Sequence, residues 1–218
     1  MIIGLVLLGC VVLLLFFGIA ERVFKSFGVA YWLAFLMVGV LIGCAFIPSI
    51  VIGAVTIDIA GFIAPLVFAV AFFVLACRSR EGMRALVAMS AIAALFVAVR
   101  LLIDPIASDI VSALILGFLC GATAYLVAKT KVSALAALFG GFPLGEGIAA
   151  LVGFLTAGTP VMLGSAALYD SVILASVFSV ALYETVAAIK RTMNNRAKVM
   201  AETANEFDPD EYKRYFDE

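Results

Sequence analysis

The amino-acid sequence predicts an all-α integral membrane protein with seven transmembrane helices. Three observations carry this. The 218-residue chain is 66% hydrophobic and only 13% charged, with a mean hydropathy of +1.23, far from the balance of a water-soluble domain. Apolar runs of about 20 residues, the length that crosses a bilayer as helix, fill most of it, where a lipid-facing barrel would show short alternating segments. Basic residues other than Arg100 cluster at the junctions of alternate runs and after the last.

In order, the runs are Met1 to Ala20, Val29 to Ile47, Ile50 to Cys77, Met83 to Ile103, Ile110 to Ala128, Val132 to Leu155 and Val161 to Ile189. The first could pass for a signal peptide. Its basic residues, Arg22 and Lys25, follow the apolar stretch instead of preceding it, and no small-x-small site lies before them, so it reads as an anchor. Tyr31 and Trp32, with Phe27, fit an aromatic anchor at the interface. Residues 1–189 form the membrane domain, and 190–218 a polar tail containing a short helix near Pro209 to Phe216 or remaining disordered.

Charge placement sets the orientation. Arg22 and Lys25 follow run one, Arg78, Arg80 and Arg84 separate three from four, Lys129 and Lys131 separate five from six, and Lys190, Arg191, Arg196 and Lys198 follow seven. The positive-inside rule then places the protein in the cell membrane as a multi-pass chain, amino terminus outside and carboxyl terminus cytoplasmic. Near the outer ends only Arg100, Asp104 and Asp109 are charged. They read as a local ion-pair cluster or as a vestibule attracting ions.

The segment LFGGFPLGEGIAALVGFLTAGTPVMLGSAALYD, Leu138 to Asp170, is the most irregular. Pro143 lacks an amide, and Gly140, Gly141, Gly145 and Gly147 carry the largest entropic cost of helix formation. The sixth run is therefore expected to be broken near Phe142 to Gly147. Runs two to four and five to seven start on opposite sides of the membrane, which permits a 3+3 inverted repeat. Asp58 in VTIDIAGFIAPL would then correspond to Glu146 in FGGFPLGEGI.

Carboxylates within hydrocarbon are costly and face protein or water. On a regular helix Asp58, Glu146 and Asp170 each fall roughly 12 to 14 Å below the outer boundary, near the middle of a ~30 Å apolar layer. The expected site for a cation or substrate is therefore Asp58, Glu146 and Asp170 with Gly145 and Gly147, relieved by a captured cation, a cationic substrate or shared protons. Arg100 is the one candidate counter-charge. Thr56, Thr159, Ser165 and Ser171 supply neutral oxygens, Tyr169 a packing side chain, and Glu184 an interfacial charge. The alternative for Asp58 is a side-chain bond to opened backbone.

The four cysteines show neither redox nor disulfide spacing, and the absence of histidine removes the usual metal ligand. No cofactor is implied, and no basic tract suggests nucleic acid. Gly39-x3-Gly43, Gly117-x3-Gly121 and Gly141-x3-Gly145 let helices approach closely. They read first as packing within the chain and second as a homo-oligomer contact.

The segments IGCAFIPSIVIG, VTIDIAGFIAPL, LFGGFPLGEGIAALV and GSAALYDSVILASVFSVAL resemble a bacterial and archaeal membrane family called domain of unknown function 1614. The resemblance would cover most of the chain up to residue 187. It departs at Asp58, at Glu146 in place of Asp, and at Tyr169-Asp170-Ser171, and the family brings no activity with it. Three classes remain. A secondary transporter or proton- or cation-translocating protein fits the mid-membrane acids. A structural or regulatory membrane protein would use its charged tail for a partner. An intramembrane aspartyl-type hydrolase would share a proton between two aspartates, but the Gly-x-Gly-Asp expected beside Tyr169-Asp170 is missing. The bilayer is the implied partner, with a cation, proton or small polar substrate.

Overall fold

The computed structural model describes residues 2–17, 31–53, 55–103, 109–158 and 160–206. Its two compact units are Met1–Leu182 and Tyr183–Glu218. Among the described residues there are seven α-helices, one to each apolar run, the last continuing well past its run: α1 (Ile2–Phe16), α2 (Tyr31–Cys44), α3 (Ala64–Arg78), α4 (Gly82–Ile103), α5 (Asp109–Ala128), α6 (Lys131–Ala157) and α7 (Ala166–Glu206). Among the described residues five helical stretches are long and apolar enough to cross a membrane, the shortest being Ile110–Ala128. α1 and α2 have 15 and 14 residues, about 22 Å of helix at 1.5 Å per residue. Phe27 and the tail segment 209–216 lie outside the described residues.

α6 is the centre of the first unit. Every residue from Ser133 to Pro143 is buried, because α3, α4 and α5 all pack on it. Phe139 meets Phe72 and Phe68 of α3 at ring separations of 5.8 and 5.7 Å, and Phe142 meets Phe96 of α4 edge-on at 5.7 Å.

The sixth run is not broken. α6 is a continuous helix of 27 residues with Pro143 inside it. Its glycines serve contact instead of interruption. A Cβ on Gly141 would lie 2.7 Å from Ile92 and 2.9 Å from the Met89 carbonyl, and one on Gly145 would lie 3.0 Å from the Ala93 carbonyl. Pro143 costs about 3 kcal/mol in a helix interior, and the packing around Ser133 to Pro143 outweighs it.

The interruptions fall where runs three and seven begin. Ile50–Ile52 (β1) and Val55–Ile57 (β2) pair as an antiparallel hairpin, and Val161–Leu163 (β3) adds in parallel to β2. The hairpin turns at Gly53, whose φ of 61° suits a residue without a Cβ. From β2 the chain passes through Asp58 into a π-helical turn, Ile59–Ile63, and then α3, with Pro65 in the first turn where its missing amide costs least. From β3 it passes through Gly164 and Ser165 into α7, Ser165 accepting the Leu168 amide at 3.1 Å as an N-cap. The depth estimate for the acids assumed regular helix through these entries. Asp58 instead precedes a helix start and Asp170 is the fifth residue of α7, whereas Glu146 is mid-helix. The inverted repeat gains no support, since the middle element of one unit is strand, turn and helix and that of the other is one unbroken helix.

Gly117 and Gly121 bring α5 onto α7. Cβ atoms there would lie 2.6 Å from Leu174 and 2.8 Å from the Ala175 carbonyl, and Phe118 meets Phe178 edge-on at 4.9 Å. Gly39 and Gly43 face open space. In the second unit, the helix from Tyr183 exposes Ile189, Met193 and Met200 beside Lys190, Arg191, Arg196 and Lys198.

Candidate functional site

Arg100 sits in the last turn of α4, where its charge complements the negative end of the helix dipole. Its guanidinium donates from Nη1 to Glu146 Oε1 of α6 at 2.9 Å and lies 5.8 Å from the Phe96 ring centre. Glu146 is 2% exposed and the Arg100 side chain 38%. The carboxylate is thus inside the protein, and its counter-charge reaches from there to an accessible space. Arg100 is the partner expected from the sequence.

That space is a cavity of about 180 Å³. Phe96 and Arg100 form one side, and Ser112, Ala113 and Leu116 of α5 a second. The third is the start of α7, from Ser165 to Leu168, with Ser171 one turn further on. Two helix amino ends therefore border it, each carrying roughly half a positive charge from aligned peptide dipoles. Ser171 donates to the Ala167 carbonyl at 2.8 Å. Ser112 is 6% exposed and lines the cavity wall. No carboxylate is among the described residues lining the cavity.

The three acids have different partners. Asp58, 8% exposed, accepts the Gly61 amide at 3.1 Å and so caps the π-turn, while its own amide donates to the Leu163 carbonyl at 2.7 Å. This is the bond to opened backbone foreseen as its alternative. Gly61 and Gly164 allow the close approach, since Cβ atoms there would fall 2.8 Å from the Ser165 backbone and 2.9 Å from Asp58 Cβ. Asp170, 7% exposed, accepts the Gly4 amide of α1 through Oδ1 at 2.8 Å. Gly4 is the third residue of α1, so this amide is one a helix cannot satisfy itself. Tyr169, fully buried, donates its hydroxyl to the Leu41 carbonyl of α2 at 3.0 Å. Adjacent residues of α7 thus tie down two helices. Glu146 bonds Arg100.

Gly145 is buried in the α6–α4 contact, and Gly147 has nothing near it. Among the described residues no group of three or more His, Cys, Asp or Glu is placed to hold a metal ion. Ser165 and Ser171, noted only as neutral oxygens, line the cavity, whereas Thr56 lies in β2. Thr159 is outside the described residues. Ser112, Phe96 and Leu116 carry no local motif, and only the convergence of three helix ends marks them. No family model matches the chain, and neither a curated protein nor a solved structure does.

Proposed function

We propose that this chain is a multi-pass protein of the cell membrane that binds a small polar solute in the Arg100 cavity and carries it across the bilayer as a secondary transporter. The observation carrying this reading is an arginine, backed by a buried glutamate, bordering a cavity among apolar helices. A carboxylate buried among apolar helices is costly unless used, and helix amino ends beside extended backbone are how transporters hold polar groups. Lys129 and Lys131 at the α5–α6 junction and Arg78, Arg80 and Arg84 at the α3–α4 junction favour a cytoplasmic location for those ends. The parallel pairing of β2 with β3 fits α3 and α7 running in the same direction, as seven spans with an external amino terminus require.

A cation held by all three acids would have to displace the Gly61 amide, the Gly4 amide and Arg100 from their present bonds. Proton exchange at Glu146 remains compatible with the reading, because that carboxylate is the one beside the cavity. A purely structural protein is the second reading, favoured by the use of Asp58 and Asp170 as backbone anchors. The hydrolase reading requires two carboxylates sharing a proton, and these two are committed to separate amides.

Proteoliposomes offered anionic, cationic and neutral solutes, with and without a pH gradient, test the proposal. Flux abolished by R100Q/E146Q in a protein that still melts cooperatively supports transport. No flux of any solute, together with melting losses alone on changing the acids, favours the structural reading.

A further inference from the structure

We infer that the solute taken by the Arg100 cavity is a short-chain monocarboxylate. The inference rests on the transport reading for the cavity being its substrate site, and names the substrate class. The sign of the site comes first. Its charged lining group is a guanidinium whose charge Glu146 balances from behind, the amino ends of α5 and α7 both border it and tip that balance to positive, and no described lining residue is acidic. Together these favour an anion over a cation.

The second observation is Ser112. Its side chain lies on the cavity wall, and the residue is 6% exposed. A hydroxyl in that position can donate to a bound solute. A carboxylate oxygen can accept from Ser112. Its second oxygen can accept from the Arg100 guanidinium, whose planar donor edge matches that geometry.

Size and polarity limit the rest. A cavity of roughly 150 Å³ can hold benzene, so about 180 Å³ admits a solute of roughly six to eight non-hydrogen atoms. Phe96, Leu116 and Leu168 provide an apolar wall, which suits a short alkyl chain and disfavours the strongly hydrated divalent anions. One carboxylate, one apolar tail and this volume define the class.

Calorimetric titration of the full chain in nanodiscs tests it, with butyrate, n-butanol and n-butylammonium as probes. Butyrate should bind saturably, and the alcohol and the amine at least tenfold more weakly. Ser112→Ala should weaken butyrate by about tenfold, as expected for a hydrogen bond to a charged group. Ser112→Leu, which fills the space, should abolish binding. R100Q/E146Q removes both charges together and should also lose butyrate while keeping a cooperative melting transition. The class is overturned if butyrate gives no saturable binding, if the amine or alcohol binds as well, or if both Ser112 variants melt normally and keep full butyrate affinity. Butyrate binding that is sensitive to Ser112, without flux of any solute, supports the class and ends the transport reading. Flux of another solute without butyrate binding overturns the class and leaves that reading standing.

Discussion

Replacing Gly4 by alanine should loosen the first helix from the bundle. A Cβ there would lie 2.9 Å from Asp170 Oδ1 and 2.9 Å from Tyr169 Cε1. Neither neighbour can yield cheaply. Tyr169 is fully buried with its hydroxyl on Leu41, and Asp170 Oδ1 is the acceptor of the Gly4 amide. Overpacking of this kind costs about 1–3 kcal/mol, and loss of the bond to the carboxylate about 1.5–3 kcal/mol more. Partial relaxation brings the expected total to about 3 kcal/mol, and for a chain of this length that corresponds to a fall in Tm of roughly 6–12 °C. The assay is thermal unfolding in detergent, paired with thiol labelling of Leu8→Cys, buried on α1, in a background lacking the four natural cysteines. Asp170→Ala should give a similar loss. Because both changes act on one contact, the double variant should cost less than about 1 kcal/mol beyond the worse single one, the non-additivity of touching residues. Wild-type melting of Gly4→Ala with Leu8→Cys still protected, or fully additive losses, would refute the anchoring role.

The glycines of α6 should separate by what they touch. Gly141→Ala presses on the Met89 carbonyl and Gly145→Ala on the Ala93 carbonyl, so each should lose about 1–3 kcal/mol in a chemical unfolding series, whereas Gly147→Ala meets open space and should gain up to about 1 kcal/mol of helix propensity. Arg100→Gln leaves Glu146 buried without that partner. It should cost about 3 kcal/mol, the low end for a broken buried pair because Arg100 is partly exposed, and R100Q/E146Q should recover most of it in the same melting assay. Arg80 and Lys129 hold left-handed backbone with φ of 59° and 61°. Glycine at either position should raise the melting point by the equivalent of up to about 1 kcal/mol, and a loss at both would contradict that strain.

The helices were legible because apolar runs of bilayer length leave little choice of structure, and Arg100 was legible as the only cation available to the acids. The hairpin was not, although its signal is present. Ile50, Val51, Ile52, Val55, Thr56 and Ile57 are all β-branched and lie on either side of Gly53, a strand pattern that overall hydrophobicity hides. Placing a helix start at Ile59 would also have exposed Asp58 as a cap, with its Gly61 amide three residues on. The glycines of α6 misled in the opposite sense, since close helix contact and helix breakage demand the same residue. The cavity had no sequence signature, because Arg100, Ser112 and Ser171 meet only once the end of α4 and the starts of α5 and α7 are brought together.

A high-resolution density map of the protein equilibrated with butyrate tests the central claim most directly. The account predicts density for one carboxylate between Arg100 and Ser112, its tail against Leu116, with Asp58 and Asp170 still bonded to the amides of Gly61 and Gly4. An empty Arg100 cavity, with a bound ion or solute between Asp58 and Asp170, would contradict it.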